Sequence, residues 1–220
     1  MLATAREAGS MICFAETHDN NRLAASGKRF AKLRFMVNAL LSAGGFGFAN
    51  GAEFYATEKI DVHGCGALNY GAADNLNELA ATLNLLLASH PAFYPESHVS
   101  LIQHGPGNVI AALRQAQDGV SKAVVLLNCD CNNAATVMFY AKDIPERGRD
   151  VLSGRQVVFQ SAGGSYACDL APGEGLCVVF DGFVPDRTLA LEPERVRLLR
   201  AGAMAKRAAL KYRWHQNILA

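Results

Sequence analysis

The sequence has no long apolar run, and its most hydrophobic windows are interrupted by Asn, Gly and Arg. Because a helix needs about 18 consecutive apolar residues to cross a bilayer, we expect no membrane span. Residues 1–16 lack a basic segment followed by a sustained apolar one, so no secretory signal is expected. The formal net charge is only +1, and this balance gives no support to a nucleic-acid or anionic-membrane partner.

The six cysteines include no Cys-x-x-Cys pair, and most lie in apolar segments such as residues 175–179. We therefore expect buried, reduced thiols and a cytoplasmic location. An alternative is a zinc site built from Cys129, Cys131 and either His104 or His63. That spacing does not match a zinc knuckle, and we expect no metal or other cofactor.

Periodicity along the first part of the chain predicts a parallel α/β unit. Met11 to Ala15 form an apolar run typical of a fully buried strand. From Gly27 to Leu41 apolar residues recur at helical spacing. Phe46 to Phe48 then predict a second buried strand, and Leu76 to Ser89 a second helix. Strand, helix and strand in this order are typical of a parallel sheet.

After Pro95 the pattern changes to short β-type runs separated by turn residues. Six strands are predicted, at residues 99–102, 109–116, 123–128, 135–140, 157–160 and 175–180. The fold class is thus α/β plus all-β, with an antiparallel β-sandwich following the α/β unit. A basic segment from Glu192 to Leu219 predicts a C-terminal helix. No stop signal follows it, and we expect the native polypeptide to continue.

Polar residues cluster directly after the first predicted strand, in the peptide from Glu16 to Arg22. In a parallel α/β barrel the reacting groups lie at the C-terminal ends of the strands. A carboxylate beside an imidazole and a guanidinium suits the stabilisation of a developing positive charge such as an oxocarbenium ion. The structural alternative is that Asp19 only caps a turn and His18 only packs.

Two peptides resemble conserved elements of the α-amylase superfamily (glycoside hydrolase family 13). Phe14-Ala-Glu-Thr-His-Asp-Asn-Asn-Arg22 is similar to the segment that delivers a His-Asp pair at the seventh barrel strand. Gly44 to Glu53 resembles the eighth-strand motif, which ends in Gly-x-Glu. Later segments, among them residues 108–114, 123–128, 150–154 and 170–174, are similar in order to strands of the family's C-terminal β domain.

The resemblance implies three parts. Residues 1–95 would be the C-terminal portion of a (β/α)8 TIM barrel, comprising strands seven and eight with their helices. Residues 96–184 would be the antiparallel β domain, and residues 185–220 a C-terminal helical extension. Two departures from the family pattern are Thr17, where Asn is commoner, and the absence of the usual Pro in the eighth strand.

The resemblance also implies roles for single residues. Asp19 would be the catalytic-site carboxylate that binds sugar hydroxyls more strongly in the transition state, and His18 would form a hydrogen bond with the same sugar ring. Arg22 would orient Asp19 or bind substrate, and Glu53 would anchor a loop or bind substrate. His63 and Tyr70 are further candidates for substrate binding, together with Tyr55, because aromatic faces suit sugar rings.

The chain is expected to be the C-terminal part of an α-glucan-active hydrolase or transglycosidase whose partner is an α-glucan or maltooligosaccharide. Retaining glycosidases need a nucleophilic carboxylate and a general acid about 5 Å apart, and the resemblance assigns these to the fourth and fifth strands. No Gly-x-Arg-x-Asp element occurs here. We therefore expect a chain that is inactive alone, a truncated gene product or one that needs the N-terminal part of the barrel. The alternative is a non-catalytic carbohydrate-binding or interaction module.

Overall fold

The computed structural model describes residues 12–42, 44–61, 64, 68–140, 143–186 and 209. Contacts divide the chain into Met1–Pro185 and Asp186–Ala220. The predicted C-terminal helix falls in the second part and, apart from residue 209, lies outside the described residues. No helix among the residues described here is both long and apolar enough to cross a membrane.

The first part of the fold is a parallel strand, helix, strand unit. β1 (Ile12–Phe14) pairs in parallel with β2 (Gly45–Gly47), and helix α1 (Lys28–Leu40) connects them. Helix α2 (Asn77–Ser89) follows β2. Both helices and the parallel pairing confirm the sequence prediction. Three short 3₁₀ turns, at Leu23–Ser26, Ala52–Phe54 and Pro91–Phe93, shape the connections.

The prediction that β1 is fully buried is wrong for the described chain. Ile12 and Phe14 are more than half exposed, because the parallel sheet has only two strands among the described residues and nothing described covers that face of β1. The opposite face packs on α1. There Phe35 contacts the rings of Phe46 and Phe48, with centroids 6.0 and 4.7 Å away.

Nine further strands form two antiparallel sheets in the described residues. They are β3 (His98–Leu101), β4 (Val109–Gln115), β5 (Lys122–Asn128), β6 (Ala135–Tyr140), β7 (Arg147–Asp150), β8 (Gln156–Val158), β9 (Gln160–Ala162), β10 (Ser165–Leu170) and β11 (Gly175–Val179). The larger sheet has the order β3-β4-β5-β11-β7-β8, and the smaller has β6-β10-β9. The prediction of an antiparallel β domain is confirmed.

The larger sheet is buried on both faces because its apolar residues alternate between two cores. Val125 and Leu127 of β5 pack in the core shared with α1 and α2. Val124 and Leu126 face the smaller sheet, where they meet Phe139 and other apolar residues. Side chains alternate along a strand, so one continuous apolar run serves both cores. The result is a layer of helices, a central sheet and an outer sheet.

Candidate functional site

The polar peptide that follows β1 lies at the same sheet edge as the peptide that follows β2. The amide of Ala15 donates to Gly47 O at 2.9 Å, which extends the parallel pairing by one residue. Glu16 to Arg22 then leave the C-terminal end of β1, and Asn50 to Glu53 leave that of β2. The carboxyl ends of parallel strands meet at one edge, so the two peptides are neighbours.

His18 and Asp19 stand at the tip of this edge and face solvent. The distance from His18 Nε2 to Asp19 Oδ1 is 3.3 Å, and the two side chains are 60% and 79% exposed. A tight turn holds the peptide, since Thr17 Oγ1 donates to Asn20 Oδ1 at 2.7 Å and Asn20 N donates to Thr17 O at 3.3 Å. The pair is thus free to meet a ligand.

An open cleft of about 360 Å³ lies beside this pair. His18 and Asp19 line one side, and Lys59, Ile60 and Asp61 line the other. Its volume is in the range of small-molecule sites. Sequence reasoning did not indicate the second group. Four of the five lining side chains can form hydrogen bonds, which suits a polyhydroxylated ligand.

Arg22 does not contact Asp19 in the described structure. Its side chain is buried and forms an ion pair with Glu16, the distance from Arg22 Nε to Glu16 Oε1 being 2.9 Å. Arg22 Nη2 also donates to Asn50 O at 2.8 Å. The expectation that Arg22 orients Asp19 is therefore wrong, because the carboxylate that Arg22 contacts is that of Glu16. A binding role for Arg22 stays a prediction that its burial does not favour.

Glu16 is a residue that sequence reasoning did not select. Its Oε2 accepts a hydrogen bond of 2.7 Å from Leu23 N. Burial raises the pKa of its carboxyl above 4.5, the Leu23 amide and the Arg22 guanidinium lower it, and the carboxylate of Glu53 raises it further. The opposite charges six residues apart were a signal for this pair, but the pattern alone did not show that both are buried.

Glu53 is not among the residues that line the cleft. Its carboxyl is close enough to influence Glu16, and its backbone carbonyl accepts a 2.6 Å hydrogen bond from Leu76 N at the start of α2. That contact uses the backbone, so the loop-anchoring role of the Glu53 side chain stays a prediction. The substrate-binding assignment of Glu53 stays a prediction.

The aromatic candidates separate in the structure. Tyr70 is 63% exposed and contacts Phe54 edge to face with centroids 5.4 Å apart. Tyr55 is buried, with Lys28 Nζ 5.2 Å from its ring centroid, so its face is not open to a sugar. Neither lines the cleft. His63 lies outside the described residues.

The described residues contain no group of three His, Cys, Asp or Glu side chains that could hold a metal ion. Cys129 and Cys131 are free, as are Cys13, Cys168 and Cys177. Burial raises the pKa of the Cys168 thiol to about 11, so that thiol is protonated at neutral pH. The cytoplasmic location inferred from the thiols stays a prediction.

Comparisons with solved structures show which known proteins share this fold. The maltogenic α-amylase AmyB of Thermotoga neapolitana matches with a TM-score of 0.62 and 19% identity, over 78% of this chain and 41% of that one. The chain shares the fold of part of this α-amylase. AmyP in complex with maltotriose matches with a TM-score of 0.59 and 17% identity, over 80% and 41%. The α-amylase of Geobacillus thermoleovorans complexed with acarbose gives 0.59 and 14%, over 79% and 40%.

The resemblance to the α-amylase family is thus confirmed at the level of fold. The chain spans about 40% of the length of these three structures, which agrees with the expected C-terminal portion. No protein-family model matches the sequence, and no curated protein matches it.

Proposed function

We propose that this chain is the C-terminal part of an α-glucan-active glycoside hydrolase or transglycosidase of the α-amylase type. The observation that carries the proposal is the exposed His18 and Asp19 pair, which stands beside a cleft at the carboxyl edge of a parallel strand, helix, strand unit. In this proposal β1 and β2 are the seventh and eighth strands of a (β/α)8 barrel, and α1 and α2 are the helices that follow them. The fold of the matched α-amylases supports the assignment.

Asp19 supplies the chemistry that the proposal needs at this position. Its carboxylate oxygens accept hydrogen bonds from sugar hydroxyls, and its negative charge favours an oxocarbenium-like transition state over the neutral ground state. His18, at hydrogen-bonding distance from Asp19, donates to or accepts from the same ring. The structures solved with maltotriose and acarbose support an oligosaccharide as the ligand.

The nucleophile and the general acid come, in this proposal, from strands that the described residues do not include. Catalysis then requires the rest of the barrel as a partner, and the chain alone does not turn over α-glucan. The apolar side chains of Ile12 and Phe14, exposed on β1, support a partner on that face, since neighbouring strands would remove them from water.

A second candidate function is a non-catalytic carbohydrate-binding module. A separate cleft of about 260 Å³ favours it, because it combines the half-exposed ring of Tyr94 with Glu96, Gln117 and Asp118. An aromatic face with neighbouring polar groups is a common arrangement for sugars. This cleft lies between the end of α2 and the β4–β5 turn, away from Asp19.

Two measurements on the 220-residue chain test the proposal. Maltooligosaccharide hydrolysis should be absent in the wild type and in Asp19→Asn, and turnover that the substitution abolishes would overturn the claim of incompleteness.

Maltotriose affinity should fall on the order of tenfold in Asp19→Asn, because a charged acceptor is lost. Asp118→Asn is the matched control, since its amide oxygen still accepts from Val120 N. Weaker binding in the control alone would favour the second candidate.

A further inference from the structure

Glu16 and Arg22 close the base of the five-residue loop that displays His18 and Asp19. Glu16 is the residue before the loop and Arg22 the residue after it. Their ion pair joins the two ends directly, and Glu16 Oε2 accepts from Leu23 N just beyond. We call these two side chains the Glu16–Arg22 clasp.

The clasp is buried although the loop above it is exposed. The side chains of Arg22 and Glu16 are 0% and 2% exposed, whereas His18 and Asp19 are mostly in contact with solvent. A buried ion pair resists opening, because separating the charges leaves an unpaired charge in a medium of low dielectric. The loop ends are therefore held more firmly than an exposed pair would hold them.

The clasp also connects the loop to the second strand of the parallel sheet. Arg22 Nη2 donates to Asn50 O at 2.8 Å. The next residue, Gly51, has φ +88°, and a Cβ atom there would lie 3.0 Å from Arg22 Nη2. Glycine thus permits both the backbone conformation and the close approach of the guanidinium. One side chain fixes the peptides that follow β1 and β2 relative to each other.

We propose that Glu16 and Arg22 are positioning residues that hold His18 and Asp19 against the cleft without touching the ligand. The proposal rests on the proposed function for the identity of the ligand. An ordered loop binds more tightly than a mobile one, since the entropy of ordering is not lost on binding. Groups that meet a ligand need such support from neighbouring side chains to keep a productive geometry.

Arg22→Lys in the 220-residue chain is the decisive variant. It keeps the positive charge, but a single ammonium group cannot reproduce the two contacts that Arg22 Nε and Nη2 make with Glu16 and Asn50. Arg155→Lys is the matched control, because Arg155 Nη2 lies 3.1 Å from Glu174 Oε1 in an exposed pair. Without ligand, the NMR signals of the His18 ring and the Asp19 amide should shift in Arg22→Lys and stay in place in Arg155→Lys.

Maltotriose affinity supplies the second readout. We expect the dissociation constant to rise on the order of tenfold in Arg22→Lys, as for a small displacement of a binding group, and to stay unchanged in Arg155→Lys. A folded Arg22→Lys chain in which the His18 and Asp19 signals coincide with those of the wild type would overturn the proposal.

Glu16→Gln covers the case in which Arg22→Lys does not fold. The amide oxygen still accepts from Leu23 N, but the charge that pairs with Arg22 is gone, so the same signals should shift. Unchanged signals there would again contradict the clasp. If the wild-type chain binds no maltotriose, the proposed function fails, whereas the ligand-free NMR comparison still decides whether the clasp fixes the loop.

Discussion

Arg114 of β4 is a fully buried cation whose hydrogen bonds run to neutral groups. Burial lowers its pKa to about 10. The guanidinium lies 4.4 Å from the centroid of the Phe93 ring, and its four hydrogen bonds reach Ala92 O, Leu40 O, Ser42 O and Ser97 Oγ. It therefore ties the end of α1 and the turn after α2 to the β domain.

Arg114→Met should lower the free energy of unfolding by about 3 kcal/mol, because buried carbonyl groups lose their donor. Arg147→Met, at an exposed position on β7, should change it by no more than about 0.5 kcal/mol. Urea unfolding of both variants measures the difference. Equal effects would contradict the bridging role of Arg114.

His90 should make stability depend on pH. Its buried ring accepts from Ala92 N through Nδ1, and its Nε2 lies 3.1 Å from Asp181 Oδ2. Burial lowers the pKa of His90 below 6.5, an effect that the Asp181 carboxylate partly offsets and the Arg114 guanidinium reinforces. As pH falls below about 6.5 the unfolded chain takes up the proton before the folded chain does, so this contribution to stability is lost on acidification.

His90→Asn tests this assignment, because Asn keeps an acceptor for Ala92 N but does not titrate. The loss of thermal stability between pH 7.5 and pH 5.5 should be smaller in the variant than in the wild type. An identical pH profile would show that other groups account for the dependence.

At the scale of elements, strands with a run of buried apolar residues could be predicted from the sequence. Strands that lack such a run, and form only because they pair with adjacent strands, could not. The apolar runs of β4, β5, β6 and β11 were predicted to within a residue or two at each end. By contrast β7, with the sequence Arg-Gly-Arg-Asp, has no apolar pattern. It exists because it pairs with β11 on one side and β8 on the other.

Two further elements show the same limit. The single strand predicted at residues 157–160 is two strands, because the chain leaves the larger sheet at Val158 and enters the smaller one at Gln160. Strand β10 was not predicted, and its polar residues pair across the outer sheet, as Asp169 does with Thr136. The sheet that each of these strands joins is set by its pairing partner, β7 for β8 and β10 for β9, and apolar periodicity does not report pairing.

β7 and β11 pack closely against each other at Gly148. A Cβ there would lie 2.6 Å from Val178 Cγ1 and 2.7 Å from Val179 O. Gly148→Ala should therefore destabilise the chain by about 1–3 kcal/mol, as overpacking does. Gly105→Ala is the control, since nothing lies within 4 Å of the added methyl group. A Gly148→Ala chain as stable as the control would contradict this packing.

At the scale of the whole molecule, the sequence predicted a parallel strand, helix, strand unit followed by antiparallel strands, and two of the five residues that line the candidate cleft. His18 and Asp19 could be identified because they follow an apolar strand directly, and a strand delivers its polar residues at its end. Lys59 to Asp61 could not, because they lie about 40 residues from Asp19 in sequence and no local pattern shows that the fold brings the two segments to one cleft. Asp19 is nearer to Arg22 in sequence than Glu16 is, so it was predicted as the partner of Arg22. In the structure Arg22 is buried and forms its ion pair with the buried Glu16 instead.

The proposed function requires that the cleft lined by Asp19 and Asp61 binds an α-glucan. An NMR titration of the 220-residue chain with maltotriose tests it most directly. We expect saturable shifts at His18 and Asp19 and at Lys59, Ile60 and Asp61. The absence of saturable shifts, or shifts confined to Tyr94 and Asp118 in the second cleft, would contradict it.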